Sequence, residues 1–366
     1  MLDAVQCIQL HLAVASFSQG HRCLSRYQGE QNVIFGEGSI SKTSGYACQQ
    51  ASMIASWRKA WSEVPGTTDR QFPFGVTSLA GGCSEGFPLW SSFQHYTEAQ
   101  WHDCATNSNG LNGRDPMCKD ISDDWAGGLR VAQTGGYGFL PNPALPGVFL
   151  GQAFDHGEPC TCDRHAPAPD GCWANGQCYG WTSPFSLNRT WNYQNSGIHP
   201  RVKLTVAKRL ARGALGVLKG RPQPTPKFSG CRYEHGSHTL QLAFDHGLLG
   251  GEGLAVQPPI TGARLPLQVR IGSNITDWVT VTSLRVLNST SLSASLPSDV
   301  NAAPTAIRYA WGDYPCCPGL NASTAFCPPA SCPIVSSASK EPAVPFWAYI
   351  TETGRCRCDA PWDCSA

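Results

Sequence analysis

Across residues 44–64, Ala47, Ala51, Ile54, Trp57, Ala60 and Trp61 recur at roughly helical spacing, and Pro65-Gly66 supplies a stop. This pattern predicts an amphipathic helix. Two short apolar runs carry a different signal. Phe72-Pro73-Phe74-Gly75-Val76-Thr77-Ser78-Leu79-Ala80 ends in Gly81-Gly82, and Gly147-Val148-Phe149-Leu150-Gly151-Gln152-Ala153-Phe154 ends in Asp155. Both read as buried parallel strands. Residues 122–134 read as a helix despite Gly127-Gly128, and residues 200–219 as a stronger one, with Pro200 in its first turn and Gly220 just past its end. Alternating strands and helices predict a layered α/β domain. Residues 81–120, which include Cys83, Cys104 and Cys118, and residues 156–195 are too long for ordinary connections and are expected to be disulfide-tied active-site loops.

After Gly220 the texture changes. Arg221-Pro222-Gln223-Pro224-Thr225-Pro226 reads as a linker, and short alternating runs follow without helical periodicity. Residues 265–271, 279–282, 291–296 and 306–311 are expected to be strands of an antiparallel sandwich, and residues 316–366 form a Cys- and Pro-rich tail. Ala153-Phe154-Asp155-His156-Gly157 recurs as Ala243-Phe244-Asp245-His246-Gly247. The flanks differ, so the echo reads as chance rather than as a repeat.

At 366 residues the chain exceeds one average domain; two domains are favoured, with one large domain as the alternative. A net charge of +1 gives no reason to expect a nucleic-acid partner or a basic membrane patch. No apolar run is long enough to predict a membrane span. The 18 cysteines change the picture, because closely spaced sets such as Cys160/Cys162, Cys316/Cys317 and Cys356/Cys358/Cys364 read mostly as disulfides. The secretory pathway is therefore the expected compartment, with a secreted or lysosomal product. Asn-x-Ser/Thr sequons at Asn188, Asn274, Asn288 and Asn321 agree with this as candidate glycosylation sites. Met1-Leu2-Asp3, with Gln6, Gln9 and His11 interrupting the following apolar run, does not read as a signal peptide, so the expectation is that the true N-terminus lies upstream.

Two segments carry the chemistry of a hydrolytic site: Tyr27-Gln28-Gly29-Glu30-Gln31-Asn32, and Ser196-Gly197-Ile198-His199-Pro200-Arg201 at the entrance to a helix. Sites in open α/β sheets cluster at strand carboxyl ends. There an imidazole can take a proton from a hydroxyl nucleophile, a carboxylate can orient it, and amides can hold an oxyanion. His199 offers the first function and Glu30 the second; Gln28, Gly29 or Asn32 offers the third.

The first segment resembles the Trp-Tyr-Gln-Gly-Glu-Ser-Asn block of the sialate O-acetylesterase family of SGNH hydrolases, with Arg26 and Gln31 as departures. Phe72-Pro73-Phe74-Gly75, Gln133-Thr134 with Gly138-Phe139-Leu140-Pro141-Asn142-Pro143, Ser183-Pro184-Phe185, and Ile198-His199-Pro200-Arg201 resemble later blocks of that family in collinear order. Arg308-Tyr309-Ala310-Trp311 and Pro345-Phe346-Trp347-Ala348 resemble its C-terminal β-domain. The resemblance implies an α/β fold class. It implies a partial SGNH-type, flavodoxin-like three-layer hydrolase domain over residues 26–220 followed by an antiparallel β-sandwich over 221–366, with an atypical segment at 1–25. It implies O-acetylated sialic acids or sialoglycoconjugates as substrates, and a serine acyl-enzyme mechanism with no cofactor and no metal.

The family's nucleophile lies in a Gly-Gln-Ser-Asn block upstream of the Gln-Gly-Glu block. Only Ser16, Ser18 and Ser25 precede Tyr27 here, and none stands in such a turn. The chain thus resembles the C-terminal portion of the family without its nucleophile block. Ser196 occupies the position, three residues before the histidine, where SGNH hydrolases generally place Asp. The related acetyl esterases imply Glu30 as the orienting acid, against the alternative that it only braces a strand end. His199 is the implied base, the alternative being a helix-starting residue. Asp155 reads as a site residue or a turn former, and Arg130 as a ligand of the sugar carboxylate or a solvated helix residue. Trp90, Phe93, Tyr96 and Trp101 read as sugar-stacking groups or as packing beneath disulfides. Cys160, Cys162, His165, Cys172 and Cys178 read as disulfide chemistry in preference to a zinc site. The competing functional readings are an inactive glycan-binding or structural remnant, and a fragment from an incomplete gene model. A hydrolase domain lacking its first strands is expected to fold poorly or aggregate in isolation.

Overall fold

A computed structural model of the chain describes residues 15–16, 22–29, 45–66, 68–80, 125–156, 173–174, 177–178, 203–221, 223–234, 236–259, 265–272, 278–311, 316 and 332–357. Its first part is a sheet in the order β1-β2-β3-β4, built from β1 (Ala15–Ser16), β2 (Arg22–Tyr27), β3 (Phe74–Thr77) and β4 (Val148–Gly151). The strands β2, β3 and β4 are parallel, with β1 antiparallel at the edge. Every residue of β3 and β4 is buried, as expected of parallel strands covered on both faces. The two apolar runs read from the sequence thus form adjacent parallel strands.

Helix α1 (Gly45–Trp61) precedes β3, α2 (Trp125–Ala132) precedes β4, and α3 (Leu204–Leu218) follows the small hairpin β5 (Trp173–Ala174) and β6 (Gln177–Cys178). The buried stripe of α1 runs through Tyr46, Ala47, Gln50, Ile54 and Arg58, spacings that keep one face inward. Ala60 and Trp61 lie exposed, off the predicted apolar face. Arg58 is buried because its guanidinium donates to the Phe72 carbonyl at 2.9 and 3.3 Å and to the Pro146 carbonyl at 2.7 Å, closing the loops that lead into β3 and β4. Helix α3 begins at Leu204, later than the sequence pattern predicts, and Pro200 lies outside the described residues. Its end is as expected: Gly220 takes φ +62°, a left-handed turn that stops a helix with little strain. Close contact between α3 and β4 depends on missing side chains, since a Cβ on Gly151 would stand 2.6 Å from Leu210 Cγ, and one on Gly213 2.9 Å from Phe149 Cδ2.

The remaining strands are antiparallel: β7 (Phe228–Glu234), β8 (Thr239–Phe244), β9 (Leu254–Val256), β10 (Leu267–Ile271), β11 (Trp278–Thr280), β12 (Ser283–Asn288), β13 (Ser291–Ser295), β14 (Pro304–Tyr309), β15 (Ile334–Ser336), β16 (Phe346–Ile350) and β17 (Cys356–Arg357). They form sheets ordered β11-β10-β14-β16-β17 and β12-β13-β8-β7, plus the pair β15-β9. Leu240, Leu242, Phe244, Leu292 and Ala294 from one large sheet share a core with Leu267, Val269, Ile307, Tyr309 and Phe346 from the other. Phe346 is stacked between Phe228 at 4.1 Å and Tyr309 at 5.5 Å.

The opposite face of β14 and β16 is covered too, because Ala306, Trp311 and Trp347 pack with Tyr46, Ala47, Leu79 and Leu129 from the parallel part. Two disulfides lock the antiparallel part: Cys231–Cys356 joins β7 to β17 across 125 residues, and Cys316–Cys332 closes a shorter loop. The molecule is therefore mixed α/β with mostly antiparallel pairing, and its described cysteines include both bonded pairs and a free Cys48. Among the described residues, no helix is long and apolar enough to cross a membrane. The two Phe-Asp-His copies differ in structure as well as in flanks: Asp155 lies just beyond a parallel strand, whereas Asp245 accepts from the Leu248 amide at 3.0 Å in a turn after β8.

Gly127 of α2 lies against Trp311, where an added Cβ would meet the tryptophan carbonyl oxygen at 2.7 Å. Helix propensity alone favours Gly127→Ala by about 1 kcal/mol, but overpacking against an immobile carbonyl costs roughly 1–3 kcal/mol. Thermal unfolding of Gly127→Ala should show a lower Tm than the parent; an unchanged or higher Tm contradicts this packing.

Candidate functional site at the strand ends

The register Tyr27, Thr77, Gly151 aligns the carboxyl ends of β2, β3 and β4. Gln133, in the turn after α2, joins two of them. Its Nε2 donates to the Gln28 carbonyl at 2.7 Å and to the Thr77 carbonyl at 3.2 Å, while its Oε1 accepts from the Leu79 amide at 2.8 Å. The bonds to Thr77 and Leu79 are buried and the one to Gln28 is partly buried, so the side chain acts as a main-chain splice. The Gln28 side chain is held in turn, its Oε1 accepting from the Tyr46 hydroxyl at 2.7 Å and from Arg26 Nη2 at 2.9 Å. Gly29 has φ +135°, and a Cβ there would come within 2.7 Å of Leu129 Cδ2. Only glycine fits that turn, which carries the chain on toward Glu30.

The end of β4 is organised by charge. Asp155 is fully buried and receives a two-pronged contact from Arg209 of α3, Nη1 to Oδ1 at 2.6 Å and Nη2 to Oδ2 at 2.7 Å. Arg209 Nη1 also donates to the Gln152 carbonyl at 2.7 Å. Burial alone would raise the Asp155 pKa, but the adjacent guanidinium outweighs it and holds the carboxylate below its ordinary value. Burial would likewise lower the pKa of Arg209, yet Asp155 and Glu341 raise it, so both partners remain charged. The Ser78 hydroxyl oxygen accepts from the Ala153 amide at 2.9 Å, tying the exits of β3 and β4 together.

His156, next in sequence, has a buried Nε2 without a hydrogen-bond partner, 4.0 Å from Asp155 Oδ1. Burial, with Arg209 and Lys203 nearby, lowers its pKa despite the opposing pull of Asp155, so the imidazole is held neutral. Arg130 is not a solvated helix residue. It is buried, donating to the carbonyls of Leu79 at 3.0 Å, Ala80 at 3.3 Å and Ala310 at 3.3 Å, with its guanidinium over the Phe154 ring. It therefore links the exit of β3 to the exit of β14.

Of the residues singled out in the sequence, Gln28, Gly29, Arg130 and Asp155 are brought to the strand ends, and Asn288 is exposed at the end of β12. Glu30, Asn32, His199, Asn188, Asn274, Asn321, the aromatic loop and the zinc-like segment 160–172 lie outside the described residues. Ser25 sits within β2 opposite Gly75, not on a strand-end turn. Sequence reasoning missed Arg209, His156 and Tyr46 and named Gln133 only within a block. One signal was available: Val206, Arg209 and Gly213 share a helical face, and a charge on an otherwise apolar stripe implies a buried partner. A groove of about 830 Å³ involving Ile54, Arg58, Arg70, Gln71 and Pro146 lies at the other, amino ends of β3 and β4. Its Arg58 is committed to carbonyls, and the groove is remote from the convergent strand exits. Among the described residues, no cluster of His, Cys, Asp and Glu is placed to hold a metal ion.

Over 333 residues, 90% of its length, the chain is 26% identical to sialate O-acetylesterase from Homo sapiens, and over 343 residues it is 26% identical to that from Mus musculus. The chain is a homologue of the sialate O-acetylesterases. The matches cover 46% and 44% of those two relatives, so the chain spans less than half of their length. No protein-family model matches it. Among solved structures, a carbohydrate acetylesterase from Xanthomonas citri aligns with 85% of this chain and 47% of its own, with a TM-score of 0.45 and 18% identity.

The buried imidazole of His156 gives a pH signature. Because its folded pKa lies below the unfolded value of about 6.5, the unfolded chain binds more protons in the interval between them. That contribution to stability is complete above about pH 6.5 and is lost as pH falls below it. Glu341 acts oppositely: burial raises its pKa against the pull of Arg209 and Arg212, so proton uptake favours the folded state as pH falls. Comparing urea unfolding of the parent and His156→Gln from about pH 5 to 8 isolates the imidazole; the parent should lose more stability on acidification. Parallel pH profiles would contradict a buried neutral His156.

Proposed function

We propose that this chain carries the histidine-bearing part of a sialate O-acetylesterase-type site. Its residues 26–220 would be a partial SGNH-type, flavodoxin-like hydrolase domain and 221–366 a β-sandwich with a disulfide-rich tail. The observation that carries this reading is the place of the two motifs along the chain in a homologue of these esterases: in sequence, Glu30 follows directly on Gln28-Gly29 at the end of β2, and His199-Pro200 comes just before α3, which packs on β4. The paired antiparallel sheets and the α/β order support the finer architecture.

In this reading His199 is the general base and Glu30 its orienting acid, while Gln28, Gly29 and Asn32 form the oxyanion and substrate side. Arg130 and Asp155 support the site from behind, since both are buried against protein groups. Given a serine supplied from a nucleophile block upstream of these residues, its hydroxyl attacks the acetyl carbonyl of an O-acetylated sialic acid and passes its proton to His199. Collapse of the tetrahedral adduct breaks the ester C–O bond, and the proton returns to the departing sugar oxygen. Water, activated by the same imidazole, then cleaves the acyl-enzyme and releases acetate. The chemistry requires no metal or cofactor. A secretory-pathway location, with exposed Asn288 among four candidate glycan acceptors, accords with the two disulfides.

The position of Ser25 within a strand favours a second reading, in which the chain binds sialoglycans without hydrolysing them. Acetate release from 9-O-acetyl sialic acid separates the two. The chain alone should show turnover reduced by on the order of 10⁶-fold relative to a complete triad, near background, because it lacks an attacking hydroxyl. Turnover abolished by His199→Ala would establish the esterase and show that the chain supplies its own nucleophile; turnover surviving His199→Ala would overturn the assignment.

A further inference from the structure

Between β15 and β16 the chain crosses from the antiparallel part to the parallel part as a strap, residues 339–344. At one end Val344 enters the core formed by Ile54, Phe72, Phe74 and Val76. In its middle, the Pro342 carbonyl accepts from Gln152 Nε2 at 2.6 Å. At the other end the Ser339 carbonyl accepts from Arg212 Nη1 at 3.2 Å, and the amides of Ala338 and Ser339 donate to the Glu252 carboxylate at 3.0 and 2.9 Å. The strap is also braced internally: the Ser336 amide donates to the Glu341 carbonyl at 2.9 Å, and the Glu341 amide to Ser336 Oγ at 3.0 Å.

Glu341 lies at the centre of these contacts and is 1% exposed. Its Oε2 is 3.4 Å from Arg209 Nε and its Oε1 2.7 Å from Arg212 Nη1; these are ion pairs rather than aligned hydrogen bonds. The Arg209 guanidinium therefore has Asp155, from the end of β4, along one edge and Glu341, from the strap, along another. A planar group held along two edges cannot pivot, so α3 is fixed both to the strand exit and to the strap. Packing alone does not call for a carboxylate in this place, since an apolar side chain would fill it without the cost of desolvation.

We propose that Glu341 is a positioning residue: acting through Arg209, the strap sets the register of α3 on β4 and holds the strand end that carries Asp155 and His156. The antiparallel part thus supplies a working component of the candidate site instead of being an appendage. The catalytic consequence rests on the esterase reading, because His199 precedes α3 in sequence; the positioning itself does not.

Hydrogen exchange of α3, residues 207–216, against β13 as an internal reference tests the proposal in the full chain. Glu341→Gln keeps the shape and removes the charge, so it separates anchoring from packing. It should speed α3 exchange by about 10-fold or more while β13 stays unchanged. Arg212→Ala, at a half-exposed position that leaves the core intact, should give a smaller rise confined to α3 and keeps the test available if Glu341→Gln does not fold. In the folded Glu341→Gln protein, NMR titration of His156, whose charged neighbours are Asp155, Arg209 and Lys203, should move upward toward the ordinary histidine value. Unchanged α3 protection would overturn the proposal. So would a rise shared equally by β13 with no change at His156, which marks global destabilisation. None of these readouts needs turnover, so failure here is distinguishable from failure of the esterase assignment.

Discussion

The ion pair between Asp155 and Arg209 is the constraint on which the arrangement of the strand exits depends. Both charges are removed from water, a cost of several kcal/mol per ion that only close, two-pronged geometry and further acceptors can offset. The Gln152 carbonyl supplies a further acceptor, and Glu341 a second opposite charge. The requirement propagates outward: α3 must lie near enough to β4 for the guanidinium to reach, and Gly151 and Gly213 remove the side chains that would prevent it. His156 is held neutral chiefly by its burial, with Arg209 and Lys203 adding to that effect against the pull of Asp155.

A second constraint is the double coverage of β14 and β16. A sheet in a two-layer arrangement usually alternates between buried and exposed residues, but these strands are buried along nearly their whole length. One face meets the other antiparallel sheet and the opposite face meets α1 and α2 through Trp311 and Trp347. Arg130 reinforces this junction by bonding carbonyls from both parts of the molecule. The two parts therefore share structure through apolar packing on one side and through the strap and its charges on the other.

Much of the parallel part was legible because its signals are local. Continuous apolar runs ending in Gly81-Gly82 and Asp155 marked β3 and β4, and Gly220 marked the end of α3. In the antiparallel part, β10, β11, β13 and β14 were found within a few residues, whereas β7, β8 and β12 were not. In β7 and β12 the buried face is too sparse to register as alternation: β12 has a single half-buried position, Leu284, while Val286 and Leu287, on opposite faces, are both exposed. The site was only half legible. Gln28 and Gly29 stood out as a motif, but the roles of Gln133, Arg209 and Glu341 arise from contacts across tens to more than a hundred residues. No local pattern encodes such pairings. Arg58, Arg130 and Arg209 share one lesson: an arginine on a buried helix stripe is held there by distant carbonyls or carboxylates and need not mark a substrate-binding surface.

The arrangement of the strand exits turns on the coupling of Asp155 to Arg209. A double-mutant cycle using Asp155→Asn and Arg209→Met, measured by urea unfolding near neutral pH, tests it most directly. Each single change leaves an uncompensated buried group, so each should cost on the order of 3–5 kcal/mol, and the double change should cost far less than their sum, with a coupling of at least ~2 kcal/mol. Additive losses, agreeing within about 0.5 kcal/mol, would show that the two side chains do not depend on each other and would contradict the account.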